Sequence, residues 1–579
     1  MRKLLPYLVP YIPWFLILVG FVYGQTVVTL SLPDYMADII NKGILNMNIG
    51  YIWQTGLWML FITLLGGLCT VGVGFSASRI ATGFVRRLRI GLFTTIESFS
   101  MQEFNDFSTA SLITRSTNDM QQLQQTFVLL LRMALVAPFM GIGAIIKAYQ
   151  LSPNMSWIMV ISIAILVAII VVLFIIVVPK FQQIQKLVDR LGLLTREMLT
   201  GMRVIRAFHK ESTEETKFDK ANHDSMTLNL FINRAMVILQ PSMMLIMSFT
   251  SLAVIWIGAH YIDIGSLQIG SLLAFMQYAV QAVMSFLMLS FIFILVPRAV
   301  VSASRINAVL ASKPTIKDPK EPVILPKSGQ GKLEFRDVTF GYHDSQEPIL
   351  DHISFVARPG EVTAIVGGTG SGKTTLVSLI PRLYDVTGGK ILLDNIDIRT
   401  VTQADLRVKI GYVSQKATLF SGTIATNIGY GGHYSKVQLK HAADVAQATE
   451  FIKDLPKKFD SEITQGGTNL SGGQKQRISI ARAIVKRPSI YVFDDSFSAL
   501  DLKTDSALRQ ALAVETKART MIIVAQRIST IIQADSIVVL DNGKVVGVGT
   551  HQTLMKSSKV YREIAQSQLS EAELKEVSS

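Results

Sequence analysis

Eight consecutive residues, Gly367-Gly368-Thr369-Gly370-Ser371-Gly372-Lys373-Thr374, carry the densest chemistry in the chain. Their spacing is G-x-x-x-x-G-K-[ST], with an apolar run at 362–366 that predicts a strand and a stretch from Thr375 to 380 that predicts a helix. Glycines let backbone N–H groups curl around a triphosphate at a helix N-terminus. Lys373 can neutralise the terminal phosphates, and the Thr374 hydroxyl can ligate Mg²⁺. A second stretch, Leu470-Ser471-Gly472-Gly473-Gln474, opens a helix predicted over 474–485 and is a further anion-binding terminus. The chemistry implied is the binding of a nucleoside triphosphate with Mg²⁺.

The elements that must position these residues are of two kinds. The chain has 579 residues, too many for a single core. At 49% hydrophobic, 17% charged and a mean hydropathy of +0.39, it is too apolar for an ordinary soluble protein. Six runs, at 11–32, 56–77, 126–148, 157–179, 236–259 and 270–296, approach or exceed the roughly 20 apolar residues needed to cross a bilayer. The net charge of +14 flanks these runs, which favours a membrane over a nucleic-acid partner. Basic residues crowd the second-to-third and fourth-to-fifth connections. The other connections hold little beyond Lys42 and Lys147, so both termini are expected in the cytoplasm, with no cleaved leader. Helical spacing continues through 80–96 and 187–208, so the spans should run on beyond the membrane and reverse near 105–111 and 208–214. The only cysteine, Cys69, lies in an apolar run, and the eight histidines show no metal-ligand spacing. A proline-bearing stretch follows, and short β-rich runs then alternate with helices, as in an α/β domain.

The phosphate loop paired with Leu470-Ser471-Gly472-Gly473-Gln474 resembles ATP-binding-cassette (ABC) ATPases, and the chain as a whole resembles a half-transporter of the multidrug/lipid exporter type. That resemblance implies an α-helical membrane domain over 1–311 with six spans and two coupling segments. It further implies a linker over 312–332, an α/β nucleotide-binding domain over 333–569 and a polar tail over 570–579. It implies ATP and Mg²⁺ as cofactors and a multi-pass protein of a cell membrane, a bacterial inner membrane in particular. Tyr342 takes the place of the adenine-stacking aromatic, Gln415 that of the glutamine that touches Mg²⁺, and Asp494 that of the Mg²⁺-holding aspartate. Ser498-Ala499-Leu500-Asp501 matches the segment that contacts the partner domain. Ser471, Gly472, Gly473 and Gln474 would close on a nucleotide held by the phosphate loop of a second half-transporter.

Two departures stand out. Where the family has the glutamate that polarises the attacking water, this chain has Asp495. Where it has a switch histidine, this chain has Gln526, which cannot carry a positive charge. Losing one methylene withdraws the carboxylate by roughly 1.5 Å, and about 1 Å of misplacement can cost on the order of a hundredfold in rate. The pattern resembles the degenerate-site subunit of a heterodimeric exporter, binding ATP at a slow site while its signature completes the partner's competent one. The stretch 461–467 departs from the family's acidic-basic pair. Met243, Met244, Met247, Met276, Met284 and Met288, with nearby Phe249, Phe286, Phe291 and Tyr278, favour an adaptable path for amphiphilic, drug-like small molecules. Gln277 and Gln281 share a helical face that could line it. The alternatives are a lipid or peptide exporter subunit and a non-transporting regulatory subunit.

Overall fold

The computed structural model describes residues 4–326, 329–343 and 345–569. The expected polar tail from 570 lies outside them. Contacts divide the chain into two units, one of residues up to 97 with 110–312, the other of 98–109 with the chain from 313 onward.

Six long helical segments in the first unit are apolar and long enough to cross a membrane, matching the six expected spans. They are built from α1 (Ile12–Asp38), α2 (Ile49–Glu97), then, beyond the short helices α3 (Met101–Phe107) and α4 (Thr109–Ser116), α5 (Asn118–Leu151), α6 (Ser156–Ala207), α7 (Glu211–Val237), α8 (Leu239–Asp263) and α9 (Ile269–Ala311). At 49 and 52 residues, α2 and α6 extend about 74 and 78 Å, more than twice the hydrocarbon layer, so each must continue well past it. The fifth span breaks at Ile238, because Pro241 in the first turn of α8 cannot donate back into α7. Close helix approach uses glycine where it matters: a Cβ at Gly66 of α2 would meet Val28 of α1 at 2.6 Å.

The two reversals differ. Near 208–210 the chain turns tightly between α6 and α7, with His209 at φ +50. No separate helix forms there. At the other reversal α3 is a distinct helix, capped reciprocally by Ser100 and Glu103, and it belongs to the second unit. Burial raises the Glu103 carboxyl, but hydrogen bonds from Ser100 and Thr315 outweigh it and leave the group below the ordinary value. Asn105 reaches the Tyr384 hydroxyl at 3.2 Å.

In the second unit, β1 (Leu333–Phe340), β2 (Leu350–Ala357), β4 (Gly388–Leu393) and β5 (Ile396–Asp397) form an antiparallel sheet ordered β2-β1-β4-β5. A six-stranded sheet is ordered β12-β11-β3-β10-β9-β6, from β3 (Val362–Gly367), β6 (Ile410–Val413), β9 (Ile490–Asp494), β10 (Thr520–Val524), β11 (Ser536–Asp541) and β12 (Lys544–Gly549). Its parallel strands are buried on both faces and read as continuous apolar runs. A small ribbon pairs β7 (Gly422–Thr423) with β8 (Glu462–Ile463). Helices α10 (Lys373–Leu379), α11 (Gln403–Val408), α12 (Ile424–Ile428), α13 (Lys436–Val445), α14 (Thr449–Lys453), α15 (Gly472–Val485), α16 (Leu502–Glu515), α17 (His551–Ser557) and α18 (Lys559–Gln568) complete the unit. The stretch leading into β1 is not a free tether: Ile316 and Leu325 are buried, and Val323 N–H bonds to Thr400.

Candidate nucleotide site

The site gathers where parallel strands end. β3 and β9 flank β10, and their C-terminal residues Gly367 and Asp494 lead into the phosphate loop and the acidic pair. Between β3 and α10 the loop needs left-handed backbone at Gly370 (φ +83) and Gly372 (φ +94), which glycine alone adopts without strain. Gly372 caps α10, so Lys373 and Thr374 enter the first turn, two residues earlier than the sequence predicts. A Cβ at Gly367 would run into the Leu540 carbonyl, whereas Gly368 and Gly370 border open space.

Lys373 Nζ donates to the Gly367 and Gly368 carbonyls at 2.8 and 2.7 Å, filling the cradle a phosphate would take. Burial holds its ammonium below the ordinary lysine value, with Asp495 and Asp494 pulling the other way. Ser371 Oγ is buried with no hydrogen-bond partner among the described residues, an orphan inside the loop. Thr374 Oγ1 donates to Asp494 Oδ1 at 3.2 Å. Asp494 is fully buried, and that burial pushes its carboxyl up to about 6, against the opposing Thr374 bond. An orphan hydroxyl, a cradle lined by glycine and a buried carboxylate on a hydroxyl together fit a triphosphate with Mg²⁺.

Asp495 follows with φ +48, an uncommon conformation for a non-glycine residue. Its Oδ2 accepts Gln415 Nε2 at 3.2 Å and Gln526 Nε2 at 2.9 Å. The three residues picked out from distant parts of the sequence therefore meet on one oxygen atom. Burial raises the Asp495 carboxyl, opposed first by the Gln415 bond and then by Lys373. Tyr342 places its hydroxyl 3.1 Å from Thr375 Oγ1 and its ring edge-on to Tyr384, with centroids 5.3 Å apart.

Ser471 to Gln474 stand apart from this group. Ser471 caps α15 through a reciprocal box, Gln474 Oε1 accepting the Ser471 N–H at 2.9 Å. Ser471 and Gly472 are exposed, and a Cβ on Gly473 would meet the Ala499 carbonyl at 3.1 Å. Lys475 Nζ donates to the Gly466 carbonyl within 461–467, where Gly466 and Gly467 both take positive φ.

Two residues were not visible from motif spacing. Gln568, the last residue of α18, donates to the Gln526 carbonyl and accepts from the Ile528 N–H at 2.9 and 2.8 Å, clamping the loop that carries Gln526. Tyr384 joins Tyr342 to Asn105. No local pattern in the sequence announces either.

The ABC transporter transmembrane region matches residues 15–286 and the ABC transporter ATP-binding region matches 350–498. An uncharacterized ABC transporter ATP-binding protein of Mycobacterium tuberculosis is 40% identical over 548 residues, 94% of each chain. One from Bacillus subtilis is 36% identical over 98% of each. An ATP-dependent lipid A-core flippase of Syntrophus aciditrophicus is 32% identical over 98% of this chain and 94% of its own. The solved structure of a bacterial Atm1-family ABC exporter with ATP bound superposes with a TM-score of 0.80 at 24% identity, covering 98% of this chain and 99% of that one. With both regions matched and such relatives aligned almost end to end, this multi-pass membrane protein belongs to the ABC transporter family, its membrane-spanning and ATP-binding parts carried on one chain.

Proposed function

We propose that the chain is one half of an ATP-driven exporter of amphiphilic compounds, whose own nucleotide site holds ATP and turns it over slowly. The observation that carries the slow site is the double amide contact on Asp495. A carboxylate that is to take a proton from water must present an unfilled lone pair at the right place. Here Oδ2 already receives two donors, which leaves Oδ1 to meet a water, on a side chain one methylene shorter than the family's glutamate. In such a site Gly367 to Thr374, with Thr375, hold the phosphates, Tyr342 faces the base, and Thr374, Gln415 and Asp494 hold Mg²⁺. Bound Mg²⁺ would supply charge neutralisation to the transferring phosphoryl group. Ser471 to Gln474, the first two exposed and the stretch away from that group, suit a nucleotide held by a second half-transporter.

Lipid-like cargo is favoured over drug-like cargo by the relatives named as lipid A-core flippases, three of them 31–33% identical over at least 86% of their length. The deciding measurement is ATP-dependent movement of fluorescent phospholipid and of a hydrophobic dye in proteoliposomes holding the assembled transporter. Lipid movement lost in Lys373→Ala supports the reading. Dye movement alone moves the cargo to the drug-like class, and movement of neither defeats export of amphiphiles.

A further inference from the structure

The membrane half holds an ion pair that the nucleotide chemistry does not use. Lys147 Nζ on α5 donates to Asp34 Oδ2 on α1 at 2.7 Å. The fully buried Tyr278 of α9 donates to Asp34 Oδ1 at 2.6 Å, its hydroxyl also 2.7 Å from the Leu30 carbonyl. Three spans thus meet on one carboxylate. Ionisable groups in membrane helices are rare and mark functional positions.

The two partners are not equally committed. Both oxygens of Asp34 are engaged, and neighbouring Asp38 is matched by Lys42 at 2.8 Å. The side chains of Asp34 and Lys147 are equally exposed, at 39% each, but an ammonium has three donors, and among the described residues one of those of Lys147 is taken. The two pairs balance in charge, and the hydrogen-bonding capacity left over at this place is that of the Lys147 ammonium. It also has a definite level. Because the spans alternate, the C-termini of α1 and α5 and the N-terminus of α9 emerge on one face, opposite the end of α9 that continues into the linker. Lys147 lies four residues before the end of α5, about 6 Å along the helix, so a bilayer spanned by α5 would bring its head groups near this level. Below the pair, Tyr278, Gln281 and Ser285 fall on one face of α9 and form a polar stripe. In it Gln281 Oε1 is buried with no partner among the described residues.

We propose that Lys147, held in place by Asp34 and Tyr278, receives the anionic head group, phosphate or carboxylate, of an amphiphilic cargo at the exit end of the membrane path. This rests on the reading of the chain as an exporter of amphiphiles and narrows its cargo to the anionic class.

The test measures lipid retention, separately from transport. The assembled transporter is placed in phosphatidylcholine nanodiscs carrying spin-labelled phosphatidylglycerol, phosphatidylcholine or a trimethylammonium lipid, and the immobilised fraction is read. Phosphatidylglycerol should be held about fivefold more tightly than phosphatidylcholine, the scale of one half-exposed charge pair. Lys147→Ala should erase that preference. The double reversal Asp34→Lys with Lys147→Asp keeps the pair and should shift preference to the trimethylammonium lipid. No preference in the unmodified protein, preference surviving Lys147→Ala, or a double reversal that leaves it unchanged overturns the assignment. ATP with Mg²⁺ should release the held label; a label indifferent to ATP is a resident lipid of the leaflet and overturns the assignment to cargo. If the head group is read this way but no lipid is translocated, Lys147 remains an anionic head-group site, while the export reading and with it the assignment to cargo fall.

Discussion

Asp494 and Asp495 are adjacent in the chain and opposite in circumstance. Asp494 ends a buried strand, and desolvation raises its carboxyl to about 6. The folded chain therefore keeps that proton up to about pH 6, while the unfolded chain releases it near the usual carboxylate value of about 4. The associated stability is fully present below about pH 4 and is lost as the pH rises through 6, by about 3 kcal/mol at most. Asp494→Asn removes the burdened charge and keeps an oxygen for Thr374. It should raise the melting temperature of nucleotide-free protein at pH 7.5, with the gain shrinking toward pH 5, while abolishing Mg²⁺-dependent ATP binding. A melting curve with the same pH response in both proteins would refute this. Asp495 differs because its backbone, at φ +48, and two glutamine amides fix it. Asp495→Asn should change turnover far less than the ~10²–10⁴-fold loss expected of a working base, as steady-state ATPase rates can show. The resemblance to the ABC family identified Asp495, Gln526 and Gln415 as residues of interest. Their meeting on a single oxygen was not legible, because a left-handed φ at an aspartate leaves no mark in sequence.

At the level of elements, legibility follows locality. The phosphate loop, the signature cap and the six spans are each specified by one contiguous stretch of chain, so pattern and structure coincide. α10 began earlier than expected only because the Gly372 conformation lets the helix start at Lys373. The second reversal is a tight turn instead of a helix, which periodicity on either side could not reveal. The hold of α18 on the Gln526 loop spans 42 residues, and nothing local encodes it. That hold has a consequence. Gln568→Ala removes two hydrogen bonds worth about 1 kcal/mol each, so amide exchange at 526–530 should accelerate by roughly tenfold or more while β10 stays protected. Unchanged exchange there would mean that the loop is fixed by its own packing.

For the whole molecule, the proposed function assigns Ser471 to Gln474 and the phosphate loop to different nucleotide sites. Ser471 and Gly472 are exposed, and the stretch is capped within itself; under the proposed function a second half-transporter gives it a nucleotide. In an assembly with one slow and one fast site, damage should be asymmetric. Gly472 has open space around it, so Gly472→Asp leaves α15 folded while adding negative charge at a helix N-terminus where a γ-phosphate must approach. That variant should abolish ATPase activity and transport of the assembled transporter, whereas Asp495→Asn in the same chain should leave most of both. Asp495→Glu with Gln526→His restores reach and a protonatable ring, and should raise turnover at this chain's own site. Measuring all three in the assembly, against Lys373→Ala as the loss of nucleotide from the slow site, separates the assignments. If Asp495→Asn silences the transporter while Gly472→Asp spares it, the working site is the one this chain's own phosphate loop and Asp495 line, and the signature does not serve a partner.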